Sequence, residues 1–223
     1  MIGVDGYRGG WVAARVTGSA ASATVMWATC SVGAISELLD PACVVGIDMP
    51  IGLADSGWRA CDQHAKQVLG RAGSRVFLTP PRAVLELGMG APNAVVQERS
   101  RALTGQGTSR QAMALSERIL VLDSALTRHR GRDVIEVHPE LSFAQLAGTV
   151  LAPKTTAAGV GQRIAALGAW LPGVVVALAH APADVPVDDA LDALACAWTA
   201  QRWEAGTAVT VPEDRDTGPF IAT

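Results

Sequence analysis

The sequence predicts an α/β protein whose elements begin β-β-β-α-β and then turn helical. Three observations predict it. Short β-type runs alternate with Gly/Ser clusters as far as Cys30, a continuous apolar run of the kind buried in parallel sheets follows at "CVVGID", and helical periodicity takes over from Pro50. With 223 residues the chain can bury a core as a single domain spanning 1–223, with residues 50–132 as a helical, Arg-rich insertion within it.

Taken in order, "MIGVD", "GWVAARV" and "ATVMWATC" read as a three-strand antiparallel meander. "SVGAISELLD" reads as a helix, with Ser31 as N-cap, Ala34, Ile35, Leu38 and Leu39 at helical spacing, and Pro41 as its stop. The apolar run "CVVGID" then ends in Asp48, so an aspartate closes both the first strand (Asp5) and the fourth. Within the insertion, "RACDQHAKQVLG" ends in glycine and "PNAVVQERSRAL" opens near Pro92. "SRQAMALSERILVLDSALTRHRG" reads as the longest helix, capped by Ser109 and closed by basic residues and Gly131. "DVIEVHP" restores a strand with Glu136 near its end, and "TAAGVGQRIAALGAWL" is a helix weakened by glycines. In "DDALDALACAWTAQRWEAG" an apolar stripe of Leu191, Leu194, Ala195 and Trp198 marks a helix, and the tail holds one short strand.

Composition narrows the function classes. A hydrophobic content of 49% and a mean hydropathy of +0.26 describe a globular chain. Aromatic residues make up 4%, which argues against a base-stacking platform for single strands. The longest apolar stretch, "IAALGAWLPGVVVALAHAP", is broken by Pro172 and Gly173 and falls short of a membrane span. The chain enters a strand pattern at once, without the basic region and cleavage site of a secretory leader. Four scattered cysteines without CxxC pairing fit free thiols in a reducing cytoplasm. The net charge of −3 hides a polarity: residues 59–132 hold 12 Lys/Arg and 5 Asp/Glu, the remainder 6 and 16. An acidic scaffold with a basic middle suits a site that holds cations and meets a polyanion; the alternative is a solvated surface in which arginine replaces lysine.

The acids carry the chemistry. Ligands of α/β sheets gather beyond the carboxyl ends of parallel strands. If strands one and four are neighbours, Asp5 and Asp48 converge, and two carboxylates that close repel unless a cation lies between them. Mg²⁺ is the simplest such cation. On the last helix Asp189 and Asp192 are spaced i, i+3, and Asp188 and Asp192 i, i+4, so either pair shares a face. Capping and the helix dipole account for Asp188 and Asp189, but not for Asp192, a full turn in and beside core residues. "EVHPE" offers Glu136, His138 and Glu140; in a continued strand they would share one face, and His138 is equally a structural hydrogen-bonder or a proton shuttle. HExxH, GxxxxGK[ST], GxGxxG and GxSxG patterns are absent from the sequence. "GYRGGW" joins two strands and so lacks the helix N-terminus that binds phosphate.

The stretches "GVDGYRGGWVAA", "GIDMPIGL", "RACDQHAKQVLG", "GTSRQAMALSERILVLDSAL", "IEVHPELSFAQLAG" and "DDALDALACAWTAQRW" together resemble the domain-of-unknown-function family 429, a group of predicted RNase H-like nucleases. The resemblance runs in order from Gly3 to about Gly206. It implies an RNase H-like fold, a central five-stranded mixed sheet with three antiparallel strands and helices around it. More distantly, the acids on strands one and four and "DxxDA" on the last helix resemble the Holliday-junction resolvases of that superfamily. That pattern implies metal-binding acids at Asp5, Asp48 and Asp189 or Asp192. Glu136 has no clear counterpart there.

The resulting expectation is a metal-dependent nuclease acting on DNA or RNA. Two Mg²⁺ or Mn²⁺ ions about 3.5–4 Å apart would be held by Asp5, Asp48, Glu136, Asp189 and Asp192. Arg8, Arg75, Arg82 and Arg110 would contact phosphates, with His138 in the substrate-facing set. Two alternatives stand beside it: a non-catalytic nucleic-acid- or protein-binding module using the basic insertion, and an actin-like or sugar-kinase-like phosphotransferase.

Overall fold

A computed structural model describes residues 1–18, 22–129, 131, 133–214 and 218–223; Arg132, the expected end of the insertion, lies outside them. Strands β1 (Ile2–Tyr7) and β2 (Gly10–Thr17) form a hairpin in which Tyr7 faces Gly10 across the two-residue turn Arg8-Gly9. Strand β3 (Thr24–Cys30) continues the antiparallel meander. On the other side of β1 lies β4 (Val45–Ile47), parallel to it. Between β4 and the next strand the chain is helical: α1 (Ala60–Leu69), α2 (Arg82–Leu85), α3 (Asn93–Thr104), α4 (Arg110–Ala114) and α5 (Ser116–Leu126). Strand β5 (Val134–Glu136) then adds parallel to β4, and the sheet order is β3-β2-β1-β4-β5. This is the five-stranded mixed sheet, with its first three strands antiparallel, that the resemblance implies.

Four helices follow: α6 (Pro139–Ala147), α7 (Ala157–Trp170), α8 (Val174–Ala179) and α9 (Val187–Glu204). Both sheet faces are covered. Val4, Trp11 and Ile47 pack with Ile35, Ile119 and Leu122 on one side, while Val12, Ala14 and Val16 pack with Phe143, Leu167, Leu191 and Leu194 on the other. None of the described helices is long and apolar enough to cross a membrane.

Three elements differ from expectation. Residues 32–37 form 3₁₀ turns, with Leu38 N–H donating to Ile35 O at 2.9 Å, and Ser31 makes no side-chain cap bond. So short a segment cannot repay α-helix nucleation, and tight turns suffice to bury Ile35. The long helix over 109–131 breaks at Leu115. Ser109 caps α4 as expected, but Ser116 Oγ donates to Met113 O at 2.7 Å, a back-bond that bends helices. The two halves serve different cores: Met113 packs with Val84 and Val96, Ile119 and Leu122 with the sheet. The tail makes two strands, β6 (Thr210–Val211) and β7 (Ile221–Ala222), which pair with each other.

The helix α9 lies unusually close to the sheet. A Cβ at Gly3 would run into the Ala193 carbonyl and the Ala197 backbone, and one at Gly46 would stand 2.5 Å from Cys196 O. These two glycines, with Ala193, Cys196 and Ala197 opposite, let helix and strand backbones touch. Gly3→Ala is therefore expected to push α9 outward and cost on the order of 1–3 kcal/mol, read from the urea midpoint. An unchanged midpoint would remove the close-approach account.

Candidate metal centre

Strand register builds the site. Val4 pairs with Ile47, and Asp48 N–H donates to Val4 O at 2.9 Å, so Asp5 and Asp48 stand side by side, one residue past the pair and on the same face. That face is the one α9 covers, and the contact at Gly3 and Gly46 brings Asp192 down onto both. Ligand oxygens of Asp5, Asp48 and Asp192 all lie within 4.8 Å of one another. Asp5 is 5% and Asp192 3% exposed. Asp5 Oδ1 accepts from Gly6 N–H at 2.6 Å, and Asp192 Oδ2 accepts from Lys154 Nζ at 2.7 Å. Asp192 Oδ1 is buried and has no partner among the described residues. A bare buried carboxylate oxygen costs free energy, and a cluster of oxygen donors that leaves one free is the donor set of a hard divalent ion.

The electrostatics agree. Burial, then repulsion from Asp48, Asp192 and Asp189, pushes Asp5 well above the usual carboxylate range against the opposing Lys154. Burial and Asp192 do the same to Asp48, and burial raises Asp192 despite the Lys154 ammonium. Burial and Asp188 raise Asp189 to about 6. Burial alone would lower Lys154, but the summed pull of Asp192, Asp5 and Asp48 raises it. These groups line a cleft of about 410 Å³, whose far wall is Val76, Phe77, Gln111 and Leu115 of the insertion.

Glu136 does not join the trio. It pairs with Ile47, one residue out of phase with Asp48, and the period of two along a strand turns its side chain away from the trio, although Glu136 still lines the same cleft. Arg59, 3% exposed, donates to Glu136 Oε1 at 2.5 Å and Oε2 at 2.9 Å, and to Asp62 Oδ1 at 2.7 Å. Ile51 N–H adds a bond to Glu136 Oε2 at 2.7 Å, and Thr79 N–H one to Asp62 Oδ2 at 2.7 Å. Burial raises Glu136 to about 7 although Arg59 opposes it, since one guanidinium serves two buried carboxylates. Cys61, Asp62 and Glu136 also cluster closely, but Arg59 already supplies the cation there. The group clamps both ends of the 51–79 segment to the sheet.

The expected phosphate contacts divide. Arg8, in the β1–β2 turn, and Arg110, at the start of α4, are exposed. Arg75 Nη1 donates to Glu140 Oε2 at 2.6 Å and Leu151 O at 2.9 Å while lining the cleft, and Arg82 pairs with Asp123 at 2.8 Å, so both make long-range contacts within the fold. His138 precedes α6 and lines the cleft; burial lowers it to about 4, which keeps the ring neutral. The strand face expected to join it with Glu136 and Glu140 ends at Glu136, because Pro139 opens a helix.

Sequence reasoning missed Lys154, Arg59 and Arg118. Arg118 of α5 lies over Gly6, where a Cβ would meet its Cδ at 3.2 Å, and its Nη2 donates to Tyr7 O at 2.5 Å. The one available signal was scarcity: Lys154 is one of 2 lysines beside 16 arginines.

Fold and site together define the class: an α/β protein with a five-stranded mixed sheet, carboxylates at the ends of two adjoining parallel strands, and an acidic helix facing them. The model of the family described as Protein of unknown function (DUF429) matches residues 3–217, and the chain belongs to that family. Searches of curated proteins and of solved structures each found no match.

The raised carboxyls make a pH prediction. A folded pKa above the unfolded value means the native state holds protons more tightly, so stability is greatest below the unfolded pKa and is lost as pH rises. His138, lowered in the fold, acts oppositely, but only below its unfolded value of about 6.5. Metal-free protein is therefore expected to lose thermal stability as pH rises above about 6.5 through the value of Glu136 at about 7, with the raised Asp5 and Asp48 acting in the same direction. Mg²⁺ should restore it at pH 8 and change little at pH 5. A melting temperature independent of both pH and Mg²⁺ would contradict this.

Proposed function

We propose that this protein is a divalent-metal-dependent nuclease that hydrolyses phosphodiester bonds in DNA or RNA. The observation that carries the reading is the close trio of buried Asp5, half-buried Asp48 and buried Asp192, with one Asp192 oxygen left unpartnered. An all-oxygen donor set fits Mg²⁺ or Mn²⁺. The ion, when bound, supplies Lewis-acid stabilisation of a phosphoryl oxygen and an acidified water.

The chain's own residues do the rest. Asp5, Asp48 and Asp192 hold the cation, and Asp189, raised to about 6 at the cleft wall, accepts the proton of the attacking water. Water oxygen bonds to phosphorus as its proton passes to Asp189, the bridging P–O bond breaks, and the leaving oxygen takes a proton from solvent to depart as an alcohol. Arg118 and the exposed Arg8 and Arg110 offer positive charge to the flanking backbone, in keeping with the excess of Lys/Arg over residues 59–132.

The test is incubation with labelled branched, duplex and single-stranded DNA, RNA and RNA–DNA hybrid, in Mg²⁺, in Mn²⁺ and in EDTA. Cleavage of at least one substrate with either ion and none in EDTA is expected. Binding that survives EDTA without any cleavage would favour a non-catalytic module. A nucleotide-induced thermal shift would favour the phosphotransferase.

A further inference from the structure

We infer that Lys154 fills the second cation position of this site, so that the protein binds one divalent ion where the two-metal mechanism expected from the sequence has two. The inference rests on the metal-site reading above and concerns a residue which that reading does not use.

Lys154 comes from the loop between α6 and α7 and reaches the last helix from the cleft side. Its Nζ lies 2.7 Å from Asp192 Oδ2 and 3.5 Å from Asp188 Oδ2. The two oxygens of Asp192 thus differ: Oδ2 holds the ammonium, Oδ1 is buried and unpartnered, and an Asp192 oxygen lies within 4.8 Å of those of Asp5 and Asp48. A divalent ion on Oδ2 would stand within contact distance of a fixed positive charge, where repulsion is strong in so buried a setting. The ammonium therefore neutralises the α9 side of the cluster and leaves room for one ion on the strand side.

The lysine is held where it stands. Ala152 O accepts from Arg163 Nη1 at 2.8 Å, and Ala152 N–H donates to Gln162 Oε1 at 2.8 Å. Leu151 O accepts from Arg75 at 2.9 Å, and Thr156 Oγ1 accepts from Gly159 N–H at 3.0 Å as the cap of α7. Arg163 is fully buried and also bonds Glu140. Anchors on both sides of Lys154 restrict the loop, so its side chain belongs to the built site. The Lys154 side chain keeps 35% exposure, with its free face toward the cleft, where a phosphate oxygen would lie.

Mn²⁺ titration calorimetry on the EDTA-stripped full chain, with Mn²⁺ electron paramagnetic resonance, tests this. Wild-type protein is expected to bind one ion and to give a mononuclear six-line spectrum. Lys154→Met should bind two, with the first about tenfold tighter for loss of the nearby charge, and spin-coupled intensity should appear. Lys154→Arg should return the count to one. Two ions in wild type, or an unchanged count and affinity in Lys154→Met, would overturn the inference and leave the metal site standing. No binding by wild type would overturn the metal site, and the inference with it.

Discussion

Arg59→Met is expected to lower folding stability by about 3–5 kcal/mol, a large share of the 5–15 kcal/mol typical of a domain. The guanidinium is the counter-charge for Glu136 and Asp62, all three under a tenth exposed. Removing it strands two carboxylates in a place where water cannot solvate them. The clamp also ties Ile51 and Thr79 to the sheet end, so local opening of the segment that walls the cleft should accompany the loss. Urea denaturation measures the cost. If Arg59→Met does not fold, Arg59→Lys keeps the charge, loses the fork, and should fall between. The double variant Arg59→Met/Glu136→Gln should recover part of the stability, since one stranded charge is gone. A cost under about 1 kcal/mol for Arg59→Met would mean that the two acids are protonated or solvated, and the clamp would lose its meaning.

Asp5→Asn is expected to lower divalent-dependent cleavage at least about 10³-fold, some 4 kcal/mol of transition-state stabilisation. The amide has the same shape but offers one neutral oxygen, so Mg²⁺-induced thermal stabilisation should disappear together with cleavage. Metal-free Asp5→Asn should melt higher than metal-free wild type at pH 8, because a buried charge facing Asp48 and Asp192 has been removed. The pairing of lost metal response with gained metal-free stability separates a ligand from a structural acid, whose loss would lower both. Full cleavage by Asp5→Asn would remove the proposed mechanism.

The order of the five sheet strands, the acids at the ends of the first and fourth strands and the acid a turn into the last helix were all legible in the sequence. Each is a local pattern: glycine clusters punctuate short β runs, an unbroken apolar run marks a strand covered on both faces, and Asp192 sits inside an apolar stripe where no cap explains it. Conversely, the arginines expected on phosphates could not be sorted locally. Arg75 and Arg82 look as free in the sequence as Arg8 and Arg110, but their partners Glu140 and Asp123 lie 65 and 41 residues away.

The sequence by itself thus determined where the strands of the main sheet lie and which of them end in acids, because periodicity and turns act over a few residues. Only the tertiary structure decided which acids meet. Glu136 is excluded from the trio by one residue of strand register, and Asp192 is admitted because Gly3 and Gly46 let α9 touch the sheet. Lys154 enters from a separate loop, 38 residues from its partner. Register, backbone approach and ion pairing across such separations depend on how finished elements pack, and the side-chain pattern of any single element does not encode them.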